Sequence, residues 1–369
     1  MVIDMLDQQR RTWLRGSAVA LLASQLPAHA AVSTHTALLT AWVAGDQAMA
    51  GLWQPGHTPG NALRGVPLPN RAHEVLALPG AAGRAGQALA VARRPGEFLL
   101  RFDARRAQAL QWHEMELDRF LCGHAAFSAD GQTLYTPEFD AESGAGLIVE
   151  RDPISLRKRR EYGSGGIGPH AMMVEPEGTL LVANGGLLIL PETGRRKLNR
   201  EHMASNLTRL DAKTGRVLDT WRVDDPFLSL RHIARAPDGS IAVASQAEHS
   251  DDAARRAAPL VSLLDDQGLH PVTLPPGLLL EGYAGDIAHL SGRGFVASAT
   301  RAGVLAWWSE DGRWLGQQSL AKASAIAVRG PQWLASGDAG SVYGVIGGTP
   351  LQSRASGLRW DNHGELLAT

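Results

Sequence analysis

The chain has 369 residues, of which 44% are hydrophobic and 20% charged, so it can bury a large core and is neither disordered nor fibrous. Its 36 lysine and arginine residues nearly cancel its 37 aspartate and glutamate residues, which disfavours nucleic acid as a partner. A single cysteine, Cys122, excludes an intramolecular disulfide framework and a metal site built from several cysteines.

Residues 1–30 have the features of an export signal. Arg10 and Arg11 precede a short, mildly apolar stretch at 16–26, and the segment ends in Ala28-His29-Ala30. The paired arginines fit the twin-arginine pattern. We therefore expect a twin-arginine signal peptide over 1–30, a mature domain over 31–369 and a periplasmic location, the alternative being an amphipathic first helix of the folded domain. No later stretch approaches the ~20 apolar residues of a membrane span, so none is expected.

The rest of the sequence repeats one unit: an apolar strand, a turn that ends in glycine, and a second apolar strand that ends in small residues. Seven copies begin at Arg71, Gly123, Pro169, Arg231, Asp286, Ser324 and Gly357. Turns at 211–215, 265–268 and 310–312 lie between copies and predict a second hairpin in each unit. Units of four short strands at a spacing of ~50 residues predict an all-β, seven-bladed β-propeller.

Two further features of this propeller follow from the spacing. Segments 37–43, 48–53 and 66–68 precede the first copy, and we expect them to complete the blade whose inner strand is 357–360, so that N- and C-terminal strands pair and close the ring. The interval from His170 to His232 is longer than those between the preceding copies. This longer interval predicts an insertion at 184–206. The insertion either lies over one face of the disc or is a solvated loop.

Four consecutive copies carry a histidine where the inner strand opens, and equivalent positions in a propeller lie around one mouth of its channel. We therefore expect these side chains to form a ring: His73, His124, His170 and His232. The second strands end at the same face and contribute two carboxylates as oxygen donors, Glu138 and Glu248. Five more side chains are expected to surround them: Arg93, Asn184, Gln246, Tyr283 and Asp286. His363 is interpreted as a turn residue at the opposite face and is left out.

Neutral imidazole suits iron, copper, zinc or nickel, and a carboxylate shifts the preference toward iron or zinc. The ring therefore predicts a transition-metal ion. Two alternatives remain: the histidines cap strands by hydrogen bonding to neighbouring blades, or they hold an anionic ligand together with arginine. Cys122 is interpreted as a buried thiol, with a soft metal ligand as its alternative. No nucleotide-binding, metalloprotease or serine-hydrolase motif is found, so a non-enzymatic role is favoured.

Several of these segments, taken in order, resemble the bacterial family known as domain of unknown function 1513: residues 92–96, 123–131, 166–170, 183–186, 196–199, 230–232 and 360–363. The resemblance implies a periplasmic seven-bladed propeller, often encoded near imelysin-type proteins and a di-haem oxidoreductase in iron-related gene clusters. With this resemblance the expected metal is iron, with copper as the alternative, and the protein is expected to be an accessory to metal acquisition with an imelysin-like or di-haem periplasmic partner. No established activity is implied.

Two other functional hypotheses stand beside metal binding. The first is an interaction scaffold, in which the histidines are structural and loop residues such as Arg195 and Arg196 dock an imelysin-like partner. The second is an enzyme at the channel mouth, either a metal-assisted oxidoreductase or a lyase that uses a histidine base and holds an anionic substrate with arginine.

Overall fold

The chain folds into antiparallel sheets arranged around a central channel, and the first strands of neighbouring sheets lie against one another. The computed structural model describes residues 36–55, 62–80, 84–194, 196–337, 340–346, 348–355 and 357–368. The predicted signal peptide at 1–30 and Arg195 lie outside the described residues. Within the described ranges the strands form seven sheets, one for each blade. The prediction of an all-β seven-bladed propeller is confirmed.

The first four blades, each given from inner to outer strand, have these bounds. Blade 1 comprises Leu358–Ala368 (β29), Thr36–Ala44 (β1), Gln47–Trp53 (β2) and Leu63–Leu68 (β3). Blade 2 comprises Ala72–Ala77 (β4), Gln87–Ala92 (β5), Phe98–Asp103 (β6) and Gln108–Glu114 (β7). Blade 3 comprises Arg119–Leu121 (β8), Ala126–Phe127 (β9), Leu134–Asp140 (β10), Gly146–Arg151 (β11) and Lys158–Gly163 (β12). Blade 4 comprises Pro169–Val174 (β13), Thr179–Asn184 (β14), Asn206–Asp211 (β15) and Val217–Trp221 (β16).

The remaining three blades follow the same plan. Blade 5 comprises Leu228–Arg235 (β17), Ile241–Ala247 (β18), Val261–Asp265 (β19) and Gly268–Pro271 (β20). Blade 6 comprises Ala284–Leu290 (β21), Gly294–Ala299 (β22), Val304–Trp308 (β23) and Trp314–Ser319 (β24). Blade 7 comprises Ile326–Arg329 (β25), Gln332–Ser336 (β26), Ser341–Ile346 (β27) and Thr349–Arg354 (β28).

Among the described residues, helical structure lies in connections between strands. The α-helix Asp252–Ala257 (α1) is capped by Asp251, whose carboxylate accepts a hydrogen bond from the backbone N–H of Ala254 at 2.7 Å. Two 3-10 turns, Pro191–Thr193 and Arg200–His202, lie in the connection from β14 to β15, where the insertion is predicted. Within the described part of the chain, no helix is long and apolar enough to cross a membrane.

The core lies between adjacent blades. Second strands are buried over almost their whole length, as in β5, β14 and β22, because a blade stacks on each of their two faces. Their sequences are accordingly continuous apolar runs rather than alternating ones. Outer strands such as β7 and β12 are mostly exposed and polar. Burial of apolar surface is therefore concentrated in the strands near the channel. Each Å² of apolar surface buried there stabilises the fold by roughly 25 cal/mol.

Pairing of the two chain ends closes the ring, as predicted. Strand β1 pairs antiparallel with β29 from Thr36 opposite Ala368 to Ala44 opposite Leu358. The Thr40 hydroxyl also donates to the backbone carbonyl of His363 at 3.0 Å. Since β1 and β29 protect each other's edge, blade 1 exposes no unpaired inner strand.

Candidate metal centre

Irregularities in the inner strands turn polar side chains toward the channel. In β4 the ladder skips from Ala72 to Glu74, so His73 is the extra residue of a bulge. Similar register shifts lie at His170 in β13, between Leu230 and His232 in β17, and at Asp286 in β21. A β-bulge re-aims the side chains beside it and ends regular pairing locally. Together with β29, five strands that line the channel thus have a break in their hydrogen-bond ladder. The polar side chains beside these breaks lie close to one another.

The largest irregularity is in β29. Thr40 pairs with Gly364 and Trp42 pairs with Trp360, so residues 361–363 all lie opposite Ala41 alone. In blade 3 the inner strand is divided into β8 and β9, and His124 lies in the gap between them. Gly123 in that gap has φ +103°, and a Cβ there would lie 2.6 Å from Cδ2 of His73. Glycine at 123 therefore permits the positive φ of this turn and leaves room for the His73 ring, which packs against the neighbouring His124.

Five histidines pack together at the mouth of the channel, and we call them the histidine ring: His73, His124, His170, His232 and His363. All five are buried. Neighbouring imidazole centres are 4.8 Å apart for His73 and His124, 4.7 Å for His124 and His170, and 4.8 Å for His170 and His232. His363 completes the set, at 4.6 Å from His124 and 4.8 Å from both His73 and His232.

Most of these imidazoles hold a nitrogen that has no hydrogen-bond partner among the described residues. Both ring nitrogens of His73 are buried and unpartnered, as are Nε2 of His124, Nδ1 of His170 and Nε2 of His363. Buried polar atoms in folded proteins are otherwise nearly always bonded, and leaving one unbonded costs about 1–3 kcal/mol. The ring therefore concentrates unused lone pairs or N–H groups in one small volume.

Two carboxylates outside the ring hold two of its members in a fixed orientation. Glu74 lies 3.3 Å from Nδ1 of His124 and also accepts the backbone N–H of Ala125 at 2.9 Å. Asp286 lies 3.2 Å from Nδ1 of His363, and its two oxygens accept the backbone N–H groups of Ile287 and Ile326, each at 2.8 Å. A carboxylate at Nδ1 favours the tautomer with hydrogen on that atom, which leaves Nε2 as a lone-pair donor toward the ring.

Burial sets the protonation of the ring. It lowers the pKa of His73, His170 and His232 well below the ordinary value, and repulsion between the neighbouring imidazoles lowers these pKa values further. Burial also disfavours the charged form of His363, but Asp286 outweighs it and raises the pKa of that histidine. For Glu74, burial favours the neutral acid, yet His124 outweighs it and lowers the carboxyl pKa. Three ring members are therefore neutral at pH 7.

Three overlapping trios among the described residues have ligand atoms within 4.8 Å of one another: His73 with His124 and His363, His124 with His170 and His232, and His232 with Asp286 and His363. Every ring member belongs to at least one trio. Neutral imidazole and carboxylate are both metal-ligating groups, and this donor set suits first-row transition metals.

A cavity of about 520 Å³ opens beside the ring and includes His73, His170 and His232 in its wall. Five cationic side chains also line it: Arg93, Arg94, Lys197, Arg231 and Arg301. The connection between β14 and β15 contributes Ile189, Leu190 and Pro191, so the predicted insertion does lie over this mouth of the channel.

The sequence matches the model of a family described as a protein of unknown function, DUF1513, over residues 66–367. The chain belongs to the DUF1513 family. No curated protein matches this DUF1513 sequence. Among solved structures, one titled "Streptogramin B lyase structure" matches the DUF1513 chain with a TM-score of 0.52 at 12% identity, covering 78% of this chain and 85% of that one. At this identity the likeness concerns the propeller fold.

The exclusion of His363 was wrong for this DUF1513 protein. Gly364 reads as a turn glycine, but it pairs with Thr40 inside β29, and His363 belongs to the histidine ring instead of the opposite face. A signal was available in the sequence. Residues 363–368 align with the segment that begins at His73, a histidine followed by a short apolar strand, and this alignment places His363 at the ring position of its blade.

The two predicted oxygen donors lie in different surroundings. Glu138 is buried, and its Oε1 accepts from the Thr136 hydroxyl at 2.6 Å and from Nη2 of Arg151 at 2.7 Å. It belongs to none of the metal-ligating trios found among the described residues. Glu248 lines the cavity, where its carboxylate accepts a hydrogen bond from Lys197. The structure thus groups the four predicted histidines but neither of these glutamates with them.

Of the five predicted surrounding residues, three line the cavity: Arg93, Gln246 and Tyr283. Arg93 is bonded to Asp361 at 3.1 Å. Asp286 lies at the ring itself. Asn184 instead bonds within its own sheet and the adjoining loop, donating to Asn206 Oδ1 at 2.8 Å and to the Ser164 carbonyl at 3.1 Å.

Glu74 and Arg231 belong to the site but have no role in the sequence-based prediction. Glu74 and Arg231 each directly adjoin a ring histidine in the chain, so neighbours of the repeated histidine were the signal that could have identified them. Which of these neighbours faces the channel depends on the bulges, and a period-2 strand pattern does not reveal a bulge.

Proposed function

We propose that this protein binds a transition-metal ion through the histidine ring. The observation that carries the proposal is the set of buried, unpartnered imidazole nitrogens that face one another in overlapping trios. Hydrogen bonding to neighbouring blades, the alternative for these histidines, would have used those nitrogens. A metal ion would accept their lone pairs and remove the cost of leaving them unbonded.

The distances support a single ion after small side-chain rotations. Two nitrogens bonded to one ion at ~2.0–2.1 Å are about 3.3 Å apart in a tetrahedral arrangement. The nitrogens of each all-histidine trio lie within 4.8 Å of one another, so rotations that move each atom by about 1 Å would suffice. Glu74 and Asp286 fit the role of carboxylates that hold a ligating histidine by its second nitrogen.

The donor set also indicates which ions to test. Divalent first-row ions bind a given nitrogen site in the order Mn, Fe, Co, Ni, Cu, with Zn below Cu, so copper(II) should bind most tightly in vitro. Iron is the ion we propose for the protein in its cell, because metal supply decides occupancy there and the family resemblance implies iron-related gene clusters. The imelysin-like or di-haem partner and the periplasmic location stay predictions.

The test is metal analysis of the full chain expressed with its own N-terminal segment. Wild type, a His124→Ala/His170→Ala double variant and a His270→Ala control would be analysed by inductively coupled plasma mass spectrometry, as isolated and after reloading with iron(II) under nitrogen or with copper(II). His270 is half-exposed on β20, outside the ring. We expect near-stoichiometric metal in wild type and control, and loss in the double variant with an unchanged circular dichroism spectrum. Metal-free wild type after reloading, or equal metal in all three, would overturn the proposal.

A further inference from the structure

The cavity beside the ring has a strong excess of positive charge. Its cations are Arg93, Arg94, Lys197, Arg231 and Arg301, and Glu248 is the only carboxylate that lines it among the described residues. Glu248 is bonded to Lys197, and Arg93 is bonded to Asp361. Arg94, Arg231 and Arg301 have no carboxylate within salt-bridge distance among the described residues. Charged groups that are taken out of water normally require a partner of opposite sign.

Arg231 is the clearest case. Its side chain is only 7% exposed, it lines the cavity, and its Nε is buried without a hydrogen-bond partner among the described residues. It is the residue that the bulge in β17 inserts between Leu230 and His232. Gly185 leaves room for it, since a Cβ at that position would lie 3.3 Å from the guanidinium carbon of Arg231. The fold thus makes space for a buried guanidinium that has no carboxylate at salt-bridge distance among the described residues. Glu248 in the same cavity attracts it from further away and is itself bonded to Lys197.

Arg94 reaches the same cavity from blade 2. Its guanidinium lies over the Phe139 ring at 5.3 Å, and its Nε is also buried and unpartnered. Its charge adds to burial in lowering the pKa of Arg231, to about 10. Arg231 nevertheless stays charged at neutral pH, since that value is far above 7. Two like charges that repel each other across a cavity are stabilised by an anion placed between them.

We propose that this cavity is a binding site for a small organic carboxylate whose carboxylate group lies between Arg94 and Arg231. The planar guanidinium fork matches carboxylate geometry. The site also has an apolar wall, formed by Ile189, Leu190 and Pro191, which accommodates a carbon skeleton. Its volume of about 520 Å³ falls in the range of small-molecule sites and is much larger than an inorganic anion requires. The proposal does not depend on metal binding.

The experiment uses the full chain freed of metal by a chelator and then dialysed, so that loss of the metal site and loss of the anion site are separate results. Citrate would be titrated calorimetrically at pH 8, where His73, His170 and His232 are neutral because their pKa values are lowered, and inorganic phosphate would be titrated in parallel. The variants are Arg231→Met and Arg94→Met, which remove the charged guanidinium but keep an unbranched side chain in its place. Arg222→Met serves as the control, because Arg222 is exposed and does not line the cavity.

We expect citrate to bind wild type and control with a Kd at or below about 1 mM, and each cavity variant to bind it roughly 10- to 100-fold more weakly. The ligand-free Arg231→Met variant should also unfold at a higher temperature than wild type, since it no longer buries an unpaired charge. Equal citrate affinity in wild type and cavity variants, or no binding up to about 10 mM, would overturn the proposal. Phosphate binding as tight as citrate binding would refute the organic ligand.

Discussion

The buried polar residues Glu138 and Asn184 are saturated with bonds inside the protein, whereas those of the histidine ring face one another with nitrogens unused. Glu138 accepts from Thr136 and Arg151, and Arg151 also donates to the Leu156 carbonyl at 3.1 Å. Asn184 donates to three acceptors, on Ser164, Asn206 and Thr208, and accepts from the Ser164 hydroxyl at 2.8 Å. Five nitrogens of the histidine ring are equally buried and lack such partners among the described residues. Buried polar groups with all their hydrogen bonds stabilise the fold. Buried polar groups without partners lower the free energy of unfolding, and a ligand that bonds them would offset that loss.

Removing Arg151 should produce the largest effect and mark the saturated region as structural. Arg151→Met leaves the buried Glu138 carboxylate without its cation, so we expect the free energy of unfolding to fall by about 3–5 kcal/mol. Urea titration monitored by circular dichroism measures it. The Arg151→Met/Glu138→Leu double variant should recover much of the loss. Metal bound per folded molecule should not change; reduced metal content would mean that this pair belongs to the metal site.

The ring should make the metal-free protein sensitive to acid. The folded-state pKa values of His73, His170 and His232 lie below their unfolded values. Below pH ~6.5 the unfolded state therefore binds more protons than the folded state, and the free energy of unfolding decreases as the pH is lowered. His363, with a raised pKa, opposes this trend. We expect a net loss of about 3 kcal/mol between pH 7 and pH 5.5. Urea titrations in the presence of a chelator would measure this loss.

A variant with glutamine at 73, 170 and 232 provides the comparison, because glutamine does not titrate. Its free energy of unfolding should be nearly flat over the same pH interval. Parallel pH curves for wild type and this variant would show that the acid sensitivity comes from other groups.

Loss of an orienting carboxylate should have a smaller effect, confined to the metal. Glu74→Gln weakens the hold on Nδ1 of His124, and we expect metal affinity to fall about 10- to 100-fold with the fold intact. Glu310→Gln is the matched control, because Glu310 bonds His289, a histidine outside the ring, at 2.8 Å. Competition with a coloured chelator reports both affinities. Equal losses in the two variants would contradict a special role for Glu74.

Cys122 should give the smallest effect. It is fully buried, and burial raises the pKa of its thiol to about 11, so almost no thiolate exists at pH 8. We expect Cys122→Ala to retain its metal and to lose about 1 kcal/mol of stability or less. Native protein should react with iodoacetamide far more slowly than urea-unfolded protein. Rapid labelling in the native state, or metal loss in the variant, would support the alternative of a soft sulfur ligand.

The repeat made the architecture predictable, but the site was predictable only in part. Seven copies of a strand-turn-strand unit imply seven blades. Four copies carry a histidine at the same position of the unit, and equivalent positions lie at the same level around the channel, so these histidines are expected to lie close together. His363 escaped because Gly364 reads as the turn glycine of its copy, whereas residues 358–368 form one continuous strand that pairs with β1. A turn at 364 would place His363 at the opposite face of the disc.

The oxygen donors depend on a different kind of information. Glu138 lies near the end of β10 and Glu248 directly follows the end of β18, and the sequence suggests the same role for both. The structure separates them through their partners: Arg151, 13 positions further along the chain, bonds Glu138, and Lys197 from the insertion bonds Glu248. Such pairings arise from side-chain packing between strands and loops, and a strand pattern does not specify them.

The pairing of β1 with β29 also fixes when the ring can exist during synthesis. His363 lies in the strand that the ribosome makes after the other strands of the propeller, and its place beside His73 and His124 depends on that strand docking onto β1. A nascent chain can fold its early blades, yet all five imidazoles meet only after residues 358–368 have emerged. The complete histidine ring therefore forms late in folding, and a chain truncated before β29 would retain only four of its five histidines.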